Sequence, residues 1–209
     1  MNKTQIAVDV FNKYANSYQE KFMDVSLYGD TFDLFCKSIE RKNADILELA
    51  CGPGNITKYL LEKRPDFKIL GTDLAPNMIS LAKINNPTAE FQLMDCKDID
   101  KLEKRYDGIM CGFCLPYLSK EETLKLIQDF AKILNTGGVI YISTMEDDYS
   151  KSALKKGSGG DEIFMHYHET GYLTAALKEN GFHLLDVQRK HSVMTDGTKV
   201  VDLILIAQK

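Results

Sequence analysis

The stretch Ile46-Leu47-Glu48-Leu49-Ala50-Cys51-Gly52-Pro53-Gly54-Asn55-Ile56-Thr57 decides the fold of this 209-residue chain. Its apolar beginning is typical of a buried parallel strand, and Gly52 and Gly54 then permit a tight turn that passes directly into a helical pattern. A strand, a glycine turn and a helix in this order form a nucleotide-binding unit, because the helix N-terminus offers unpaired N–H groups to an anionic ligand. An ordinary strand-to-helix turn has the same pattern, so the following segments must decide between the two interpretations.

Three further segments are predicted to be strands of the same sheet, and two of them end in an acidic residue. Residues 67–73 end at Asp73, about twenty residues after the glycines, where a carboxylate can accept two hydrogen bonds from a ribose diol. Residues 89–95 form the next predicted strand and end at Asp95, and residues 106–112 form the fourth. Taken singly, each acid is better explained as a solvated strand end, but glycines and acids at the ends of successive strands indicate one nucleotide site.

These segments resemble the motifs of the class I S-adenosylmethionine-dependent methyltransferases. Residues 48–54 resemble the glycine motif of that family, Asp73 its ribose-binding acid, and Asp95-Cys96 its adenine-site pair. Residues 134–138 resemble the turn before its fifth strand. The resemblance runs from about Val10 to the C-terminus of the chain and implies that S-adenosylmethionine is the cofactor.

The sequence departs from the family pattern at two positions, and its glycine turn is also compatible in part with a dinucleotide cofactor. Ala50 replaces the commonest first glycine and is small enough to preserve the loop, while Asn55 replaces the third and is suited to capping the helix. Residues 52–57 are close to a dinucleotide fingerprint, but Thr57 stands where its third glycine allows close packing of helix and strand. Glu48 also fits methyltransferases better. An NAD-dependent oxidoreductase is therefore the distant alternative.

The resemblance implies a set of functional residues, and most of them lie at predicted strand ends. The expected cofactor-binding residues are Tyr14, Tyr18, Glu48, Ala50, Gly52, Gly54, Asp73, Leu74, Met78, Asp95, Cys96, Cys111 and Gly112. The expected substrate-binding residues are Phe113, Tyr117, Tyr149 and Tyr167. The implied reaction is in-line methyl transfer to a small-molecule acceptor. A non-catalytic S-adenosylmethionine-binding sensor or partner protein stays open, and no metal is expected, because a catechol-type mechanism would need an acid where Cys111 stands.

The remaining segments predict a Rossmann-like α/β fold in a single domain over residues 1–209. Ser119 opens a helix with a capping box, which Gly137-Gly138 should end. The other predicted elements are a strand at residues 139–143, a helix at residues 172–180, and strands at residues 182–187 and 201–207. No helical segment separates the last two strands, so we expect an antiparallel hairpin that turns at residues 195–198. The expected sheet is seven-stranded and mostly parallel, with helices on both faces.

Two segments are candidates for covering the acceptor. Residues 1–42 are expected to form an N-terminal helical cap, in which Tyr14 and Tyr18 share one helix face, and the resemblance implies that this helix caps the cofactor. Residues 144–168 are inserted between the fifth strand and the next helix, and we expect them to form a lid over the strand ends. His166 and His168 in this insertion are candidate general bases for a protic acceptor, although a single histidine is more often structural.

Composition indicates a cytoplasmic enzyme that acts on small molecules. Hydrophobic residues make up 44% of the chain and the formal net charge is −4, so neither a membrane span nor extended nucleic-acid binding is expected. Met1 to Gln5 lack the apolar stretch of a signal peptide, and five cysteines without such a signal predict reduced thiols. The Cys111-x-x-Cys114 motif favours small apolar lining over a zinc or redox site. The sequence specifies neither the oligomeric state nor the acceptor.

Overall fold

Apolar runs of the sequence form nine strands in a computed structural model that describes residues 3–156, 160–193 and 199–209. The strands are β1 (Asp45–Leu49), β2 (Lys68–Asp73), β3 (Glu90–Leu93), β4 (Tyr106–Gly112), β5 (Leu134–Met145), β6 (Ala153–Lys156), β7 (Glu162–Met165), β8 (His183–Val193) and β9 (Lys199–Gln208). Seven of them form one sheet in the order β3-β2-β1-β4-β5-β9-β8, and β6 and β7 form a separate antiparallel pair. The pairs among β1 to β5 are parallel, whereas β9 runs antiparallel to both β5 and β8.

Helices cover both faces of the large sheet. They are α1 (Lys3–Lys13), α2 (Ala15–Phe22), α3 (Gly29–Ser38), α4 (Asn55–Lys63), α5 (Pro76–Asn85), α6 (Lys120–Ile133) and α7 (Thr170–Glu179). Because side chains alternate along a strand, neighbouring residues of β1 enter different cores. Ile46 packs in the cluster that contains Phe32 of α3, whereas Leu47 packs in the cluster that contains Phe130 of α6. The predicted fold class is confirmed, including the antiparallel C-terminal pair, while residues 195–198 lie outside the described residues.

The chain between α6 and β5 differs from the prediction. The capping box is present, since the Ser119 hydroxyl accepts from the Glu122 N–H at 3.2 Å and the Glu122 carboxylate accepts from the Ser119 N–H at 2.8 Å. The helix ends at Ile133, however, and Gly137-Gly138 already lie within β5. Gly137 adopts a φ of 78° where the pairing of β4 with β5 shifts register, so the glycines serve a strand irregularity and not the helix end.

The beginning of α4 also differs from the expectation. Gly54, with a φ of 77°, precedes the helix, and Asn55 is its first residue. The Asn55 amide donates to the Phe22 carbonyl at 2.8 Å and thereby ties the end of α2 to the glycine turn. A Cβ at Gly54 would lie 2.3 Å from the Asn86 side chain, so close packing as well as the backbone angle requires glycine here. Within the described ranges, no helix combines the length and apolar character needed to cross a bilayer.

Candidate functional site

The carboxyl ends of β1 to β4 border a concave pocket of about 830 Å³, counting the part that is open to solvent. This volume suits a small-molecule ligand, and the position is the point in the sheet where the strand order reverses. The residues that line the pocket are Thr4, Ala7, Val8, Phe11, Tyr18, Ala50, Gly52, Asp73, Leu74, Ala75, Met78, Met94, Asp95, Cys96, Gly112, Phe113, Cys114, Tyr117 and Leu118.

The turn after β1 forms one wall of the pocket. Ala50 and Gly52 have φ angles of 51° and 54°, in the left-handed region that favours glycine. Ala50 therefore holds a conformation that its side chain disfavours, which explains why glycine would suit that position. A Cβ on Gly52 would point toward the Tyr18 ring, 3.7 Å from its nearest carbon, so the missing side chain leaves the wall open beside that ring.

Asp73 ends β2 and fixes the position of the glycine turn. Its carboxylate accepts from the Gly52 N–H at 2.9 Å and from the Ala75 N–H at 2.8 Å. Burial raises the pKa of Asp73, while these backbone hydrogen bonds act in the opposite direction. Each carboxylate oxygen retains a lone pair after accepting one bond, so Asp73 can still accept from hydroxyl groups of a ligand.

Asp95 and Cys96 follow β3 on the adjacent wall. Asp95 accepts from the Lys97 N–H at 2.9 Å and so caps a short 3-10 helix, Cys96–Lys101. The Cys96 thiol is hydrogen-bonded to the thiol of Cys114, and this bond together with burial raises the pKa of Cys96. Both cysteines line the pocket as neutral, weakly polar groups.

Aromatic rings close the pocket on the side of the N-terminal helices. The Phe11 ring meets the rings of Tyr18 and Tyr117 edge to face, with centroid distances of 5.8 and 5.1 Å. Burial raises the pKa of Tyr18 to about 12 and also raises that of Tyr117, so both phenols are protonated at neutral pH. Neither hydroxyl is hydrogen-bonded to another residue within the described ranges.

The cover over the pocket is α1, and the inserted segment supports it from outside. Four residues of α1 line the pocket, whereas no residue of β6 or β7 does. Asp161, beside β7, accepts from the Lys13 ammonium at 2.8 Å and from the Tyr14 hydroxyl at 2.7 Å. The Lys3 ammonium lies 3.3 Å from the centroid of the Phe164 ring. The described residues of the insertion at 144–168 therefore reach the pocket indirectly, through α1 and through the chain at Leu115 and Pro116.

The structure brings nine of the thirteen expected cofactor-binding residues into the pocket lining. These nine are Tyr18, Ala50, Gly52, Asp73, Leu74, Met78, Asp95, Cys96 and Gly112. Tyr14 instead binds Asp161, Gly54 packs against Asn86, and Cys111 is fully buried in the core. Cys51 is likewise in the core, so the thiols at the pocket are those of Cys96 and Cys114.

Glu48, the remaining expected cofactor residue, lies behind the pocket wall. It is 1% exposed, and one carboxyl oxygen accepts from the Thr57 hydroxyl while the other has no hydrogen-bond partner within the described ranges. Burial raises the pKa of Glu48 to about 8, so it is mostly neutral at pH 7. Its contacts join β1 to α4, and we assign it to positioning the glycine turn.

The two histidines proposed as bases lie outside the pocket lining. The His168 side chain is fully buried, with Nε2 2.8 Å from the Leu115 carbonyl and Nδ1 hydrogen-bonded to the Tyr172 hydroxyl. The carbonyl can only accept, so Nε2 carries the proton and donates. Burial lowers the pKa of His168 to about 4. His166 is also buried, with Nδ1 3.2 Å from the Tyr149 hydroxyl. These contacts give His168 a structural role that joins the chain after β4 to α7.

The four expected substrate residues divide into two pairs. Phe113 and Tyr117 line the pocket, and Phe113 has a φ of 53°, held by hydrogen bonds of 3.1 Å from its N–H to the carbonyl and hydroxyl of Ser143. Tyr149 and Tyr167 lie outside the lining. The Tyr149 hydroxyl accepts from the Lys120 N–H at 3.2 Å, so it supports the start of α6.

Eight lining residues were absent from the sequence-based site: Thr4, Ala7, Val8, Phe11, Ala75, Met94, Cys114 and Leu118. Ala7, Val8 and Phe11 have the spacing of one helix face, which was the available signal, but that pattern alone does not distinguish a ligand-facing surface from a core-facing one. Among the residues that the structure describes, no group of three or more His, Cys, Asp or Glu side chains is arranged to hold a metal ion.

Comparisons with known proteins agree with this geometry. A family model described as a methyltransferase domain matches residues 46–138. A malonyl-(acyl-carrier protein) O-methyltransferase from Acetivibrio thermocellus is 31% identical over 144 residues, which cover 64% of this chain and 47% of that enzyme. The chain spans between 36% and 53% of the length of six curated relatives that it matches.

Two solved structures share the fold over nearly the whole chain. The DhpI–SAH complex has a TM-score of 0.75 at 18% identity, covering 99% of this chain and 97% of that one. Magnesium protoporphyrin IX methyltransferase from Synechocystis PCC 6803, solved with bound SAM, has a TM-score of 0.74 at 16% identity, covering 100% and 98%. At these identities the structural matches establish the architecture and leave the acceptor open.

Proposed function

Because the chain belongs to the class I S-adenosylmethionine-dependent methyltransferases, we propose that it transfers a methyl group from S-adenosylmethionine to a small-molecule acceptor. One observation carries this proposal: a single pocket joins the glycine turn at Ala50 and Gly52 to the carboxylates of Asp73 and Asp95. These groups come from three different strand ends, and only the parallel sheet brings them together.

The residues of the pocket fit this cofactor. Asp73 would accept hydrogen bonds from the ribose hydroxyls, and Asp95 with Cys96 would border the adenine. Gly52 leaves room beside Tyr18, and Gly112 is similarly constrained, because a Cβ there would lie 2.4 Å from Ile56 Cδ1. Both glycines lie at the carboxyl ends of their strands, Gly52 where the backbone can approach a ligand and Gly112 where packing against Ile56 leaves no space for a side chain.

The protein's own contribution is alignment and exclusion of water. S-adenosylmethionine supplies a methyl group that is already activated by its sulfonium, so the barrier falls mainly through orientation of the acceptor. Phe11, Tyr18 and Tyr117 form an aromatic cover, and α1 lies above the pocket. A dry site of this kind strengthens electrostatic interactions within it.

Calorimetry with S-adenosylmethionine and S-adenosylhomocysteine tests the cofactor assignment. We expect micromolar binding of both, and Asp73→Ala should weaken each by about 2–3 kcal/mol, as for a lost charge-assisted hydrogen-bonded pair. Asp147→Ala is the matched control, because Asp147 is an acid whose ion pair with Lys151 lies outside the pocket lining. Unchanged affinity in Asp73→Ala would remove that residue from the site, and binding of NAD in preference would favour the oxidoreductase.

Methyl transfer itself is tested with labelled S-adenosylmethionine and an extract of small metabolites. Transfer of label to a small molecule is the expected outcome. Tight cofactor binding without transfer to any small molecule would instead favour the non-catalytic sensor or partner protein.

A further inference from the structure

We propose that the methyl acceptor is an apolar amine that binds as the neutral base. This inference rests on the proposed methyltransferase function and concerns the acceptor end of the pocket, which we define as Val8, Phe11, Phe113, Tyr117 and Leu118. The side chains found there differ in how well they suit three classes of acceptor: anions, acceptors that must first lose a proton, and amines.

Anionic acceptors do not match the charges of the pocket. Among the residues that the structure describes, its lining contains two carboxylates, Asp73 and Asp95, and no lysine, arginine or histidine. A carboxylate or phosphate entering this pocket would lose its hydration beside like charges without gaining a cationic side chain from the lining. Three lysines close in sequence to lining residues are engaged elsewhere. Lys97 pairs with Glu122 at 3.1 Å, Lys13 pairs with Asp161 at 2.8 Å, and the Lys3 ammonium lies over the Phe164 ring.

Alcohols, phenols, thiols and carbon acids need a base, because their attacking atom must lose its proton. The phenols of Tyr18 and Tyr117 have raised pKa values, so they are protonated at neutral pH and cannot accept that proton. The raised pKa values of the Cys96 and Cys114 thiols exclude them in the same way.

Within the described part of the chain, the remaining titratable groups beside the pocket do not supply a base at the acceptor end. Asp73 and Asp95 lie on the walls formed by β2 and β3, where each accepts from backbone N–H groups. His166 and His168 lie outside the lining and are bound to Tyr149 and to Leu115 with Tyr172. The lining therefore fits an acceptor whose attacking atom does not need an enzymatic base.

A neutral amine meets each of these conditions. Its lone pair attacks without prior deprotonation, and an N–H group can donate to the Tyr117 hydroxyl, which has no hydrogen-bond partner within the described ranges. The rings of Phe11 and Tyr117, 5.1 Å apart, offer an apolar seat for the rest of the molecule. Positive charge that develops on the nitrogen is stabilised by the faces of these aromatic rings.

The transfer balances without another reactant. The amine lone pair forms the new N–C bond, and the electron pair of the breaking S–C bond stays on sulfur. The nitrogen, now positively charged, releases its proton to water after the methyl group has moved. S-adenosylmethionine is the only co-substrate that this step requires.

Three compounds that share a phenyl ring and differ in their functional group separate the acceptor classes: benzylamine, benzyl alcohol and benzoate. Binding is measured by calorimetry on the protein loaded with S-adenosylhomocysteine, and transfer is measured with labelled S-adenosylmethionine. Benzylamine should bind at least about tenfold more tightly than benzoate, and it alone should be methylated. Its rate should rise from about pH 7 to about pH 9, as the neutral fraction of the amine grows.

A charge variant tests whether the lining causes this preference. Val8→Lys places a cation at the acceptor end, at a half-buried position where the ammonium can reach water. We expect it to reverse the order of benzylamine and benzoate binding. Val8→Met is the control for size, and it should keep the original order.

The outcomes separate a failure of the proposed function from a failure of the amine inference. Failure to bind S-adenosylmethionine would overturn the proposed function itself. Cofactor binding with benzoate preferred, with benzyl alcohol methylated as fast as benzylamine, or with no measurable benzylamine binding would overturn the amine inference alone. An unchanged order of binding in Val8→Lys would show that the charge of the lining does not set the preference, and would equally overturn the inference.

Discussion

At the scale of single residues, Glu48 shows how a buried ionisable group couples the glycine turn to pH. Its pKa is raised to about 8 by burial, against an ordinary value of 4.5, because the charged form loses its hydration. The folded protein therefore binds this proton more tightly than the unfolded chain does. The stabilisation is complete below about pH 4.5, declines as the pH rises through the folded pKa near 8, and is absent above it.

Glu48→Gln should remove this dependence on pH, because the amide is neutral throughout and its oxygen can still accept from Thr57. Relative to the original protein, the variant should gain free energy of unfolding with a slope of up to about 1.4 kcal/mol per pH unit between about pH 5 and about pH 8. Urea unfolding across this range measures the difference. Glu62→Gln, at an exposed position of the following helix, is the control and should give a flat difference. A flat difference for Glu48→Gln as well would mean that the buried carboxyl is ionised.

Burial lowers the pKa of His168, so this side chain is neutral and joins the chain after β4 to α7. His168→Ala leaves the Leu115 carbonyl and the Tyr172 hydroxyl without their partner and opens a cavity, so the free energy of unfolding should fall by about 2–4 kcal/mol. Affinity for the cofactor should be unchanged, because the residue does not line the pocket. His166→Ala is the comparison. Near-normal stability of His168→Ala together with loss of methyl transfer would restore the catalytic role predicted from sequence.

At the scale of elements, the strands were predictable because their apolar runs and the glycine turns that follow them are local signals. Residues 67–73 and 106–112 match β2 and β4 within one residue at each end. The beginning of β5 was missed, because Gly137 serves a strand irregularity that depends on pairing with β4 and on its N–H donating to the Lys209 carbonyl, 72 positions along the chain. Contacts of this range leave no mark in a local pattern.

The roles of the covering elements were less predictable for the same reason. The insertion was expected to lie over the pocket because of its length and its histidines, yet α1 provides the lining and β7 supports α1. An amphipathic helix shows which face is apolar but not what that face contacts. His168 gave the pattern of a candidate base, and its contact with the distant residue Leu115, which favours a structural role, could not be predicted from the local sequence.

The link between α1 and the insertion predicts a kinetic effect. Asp161→Asn weakens the contacts to Lys13 and Tyr14, which hold the end of α1 in place. The pair with Lys13 is exposed, so its loss should change stability little but raise the release rate of S-adenosylhomocysteine about two- to fivefold. Stopped-flow displacement measures this rate. Asp147→Asn breaks another ion pair of the same insertion and should leave release unchanged. Equal release rates in the two variants would argue against α1 as the moving cover.

At the scale of the whole molecule, the two ends of the parallel strands differ in their roles. We call the side of the carboxyl ends the pocket edge and the side of the amino ends the opposite edge. The edge at the carboxyl ends of β1 to β4 carries the pocket, with strained or glycine backbone at Ala50, Gly52 and Phe113. The opposite edge is held by polar contacts, in which Asp107 accepts from the Asp45 N–H at 3.0 Å and pairs with Arg41 at 3.0 Å. Of the three described residues other than glycine with positive φ, Ala50 and Phe113 lie where a ligand can offset the strain, whereas Asn43 lies at the opposite side of the sheet, before β1.

This division predicts a one-sided response to the cofactor. At a cofactor concentration about one hundred times Kd, global stability rises by about 2.7 kcal/mol, so amides that exchange only through complete unfolding should all slow about a hundredfold. Amides that exchange through local opening should respond differently. We expect added protection in α1, in the turn at residues 50–55 and at residues 73–78, and none at the start of β8, where Leu184 and Leu185 are exposed at the opposite edge.

Hydrogen exchange with and without S-adenosylmethionine, read by mass spectrometry, measures this pattern. Asp73→Ala at the same cofactor concentration is the control, and its protection should fall in all three pocket segments together, because one ligand links them. Protection of the turn and of residues 73–78 without protection of α1 would mean that α1 does not close over the cofactor. Protection that appears first at the start of β8 would place the ligand at the opposite edge and contradict the site as a whole.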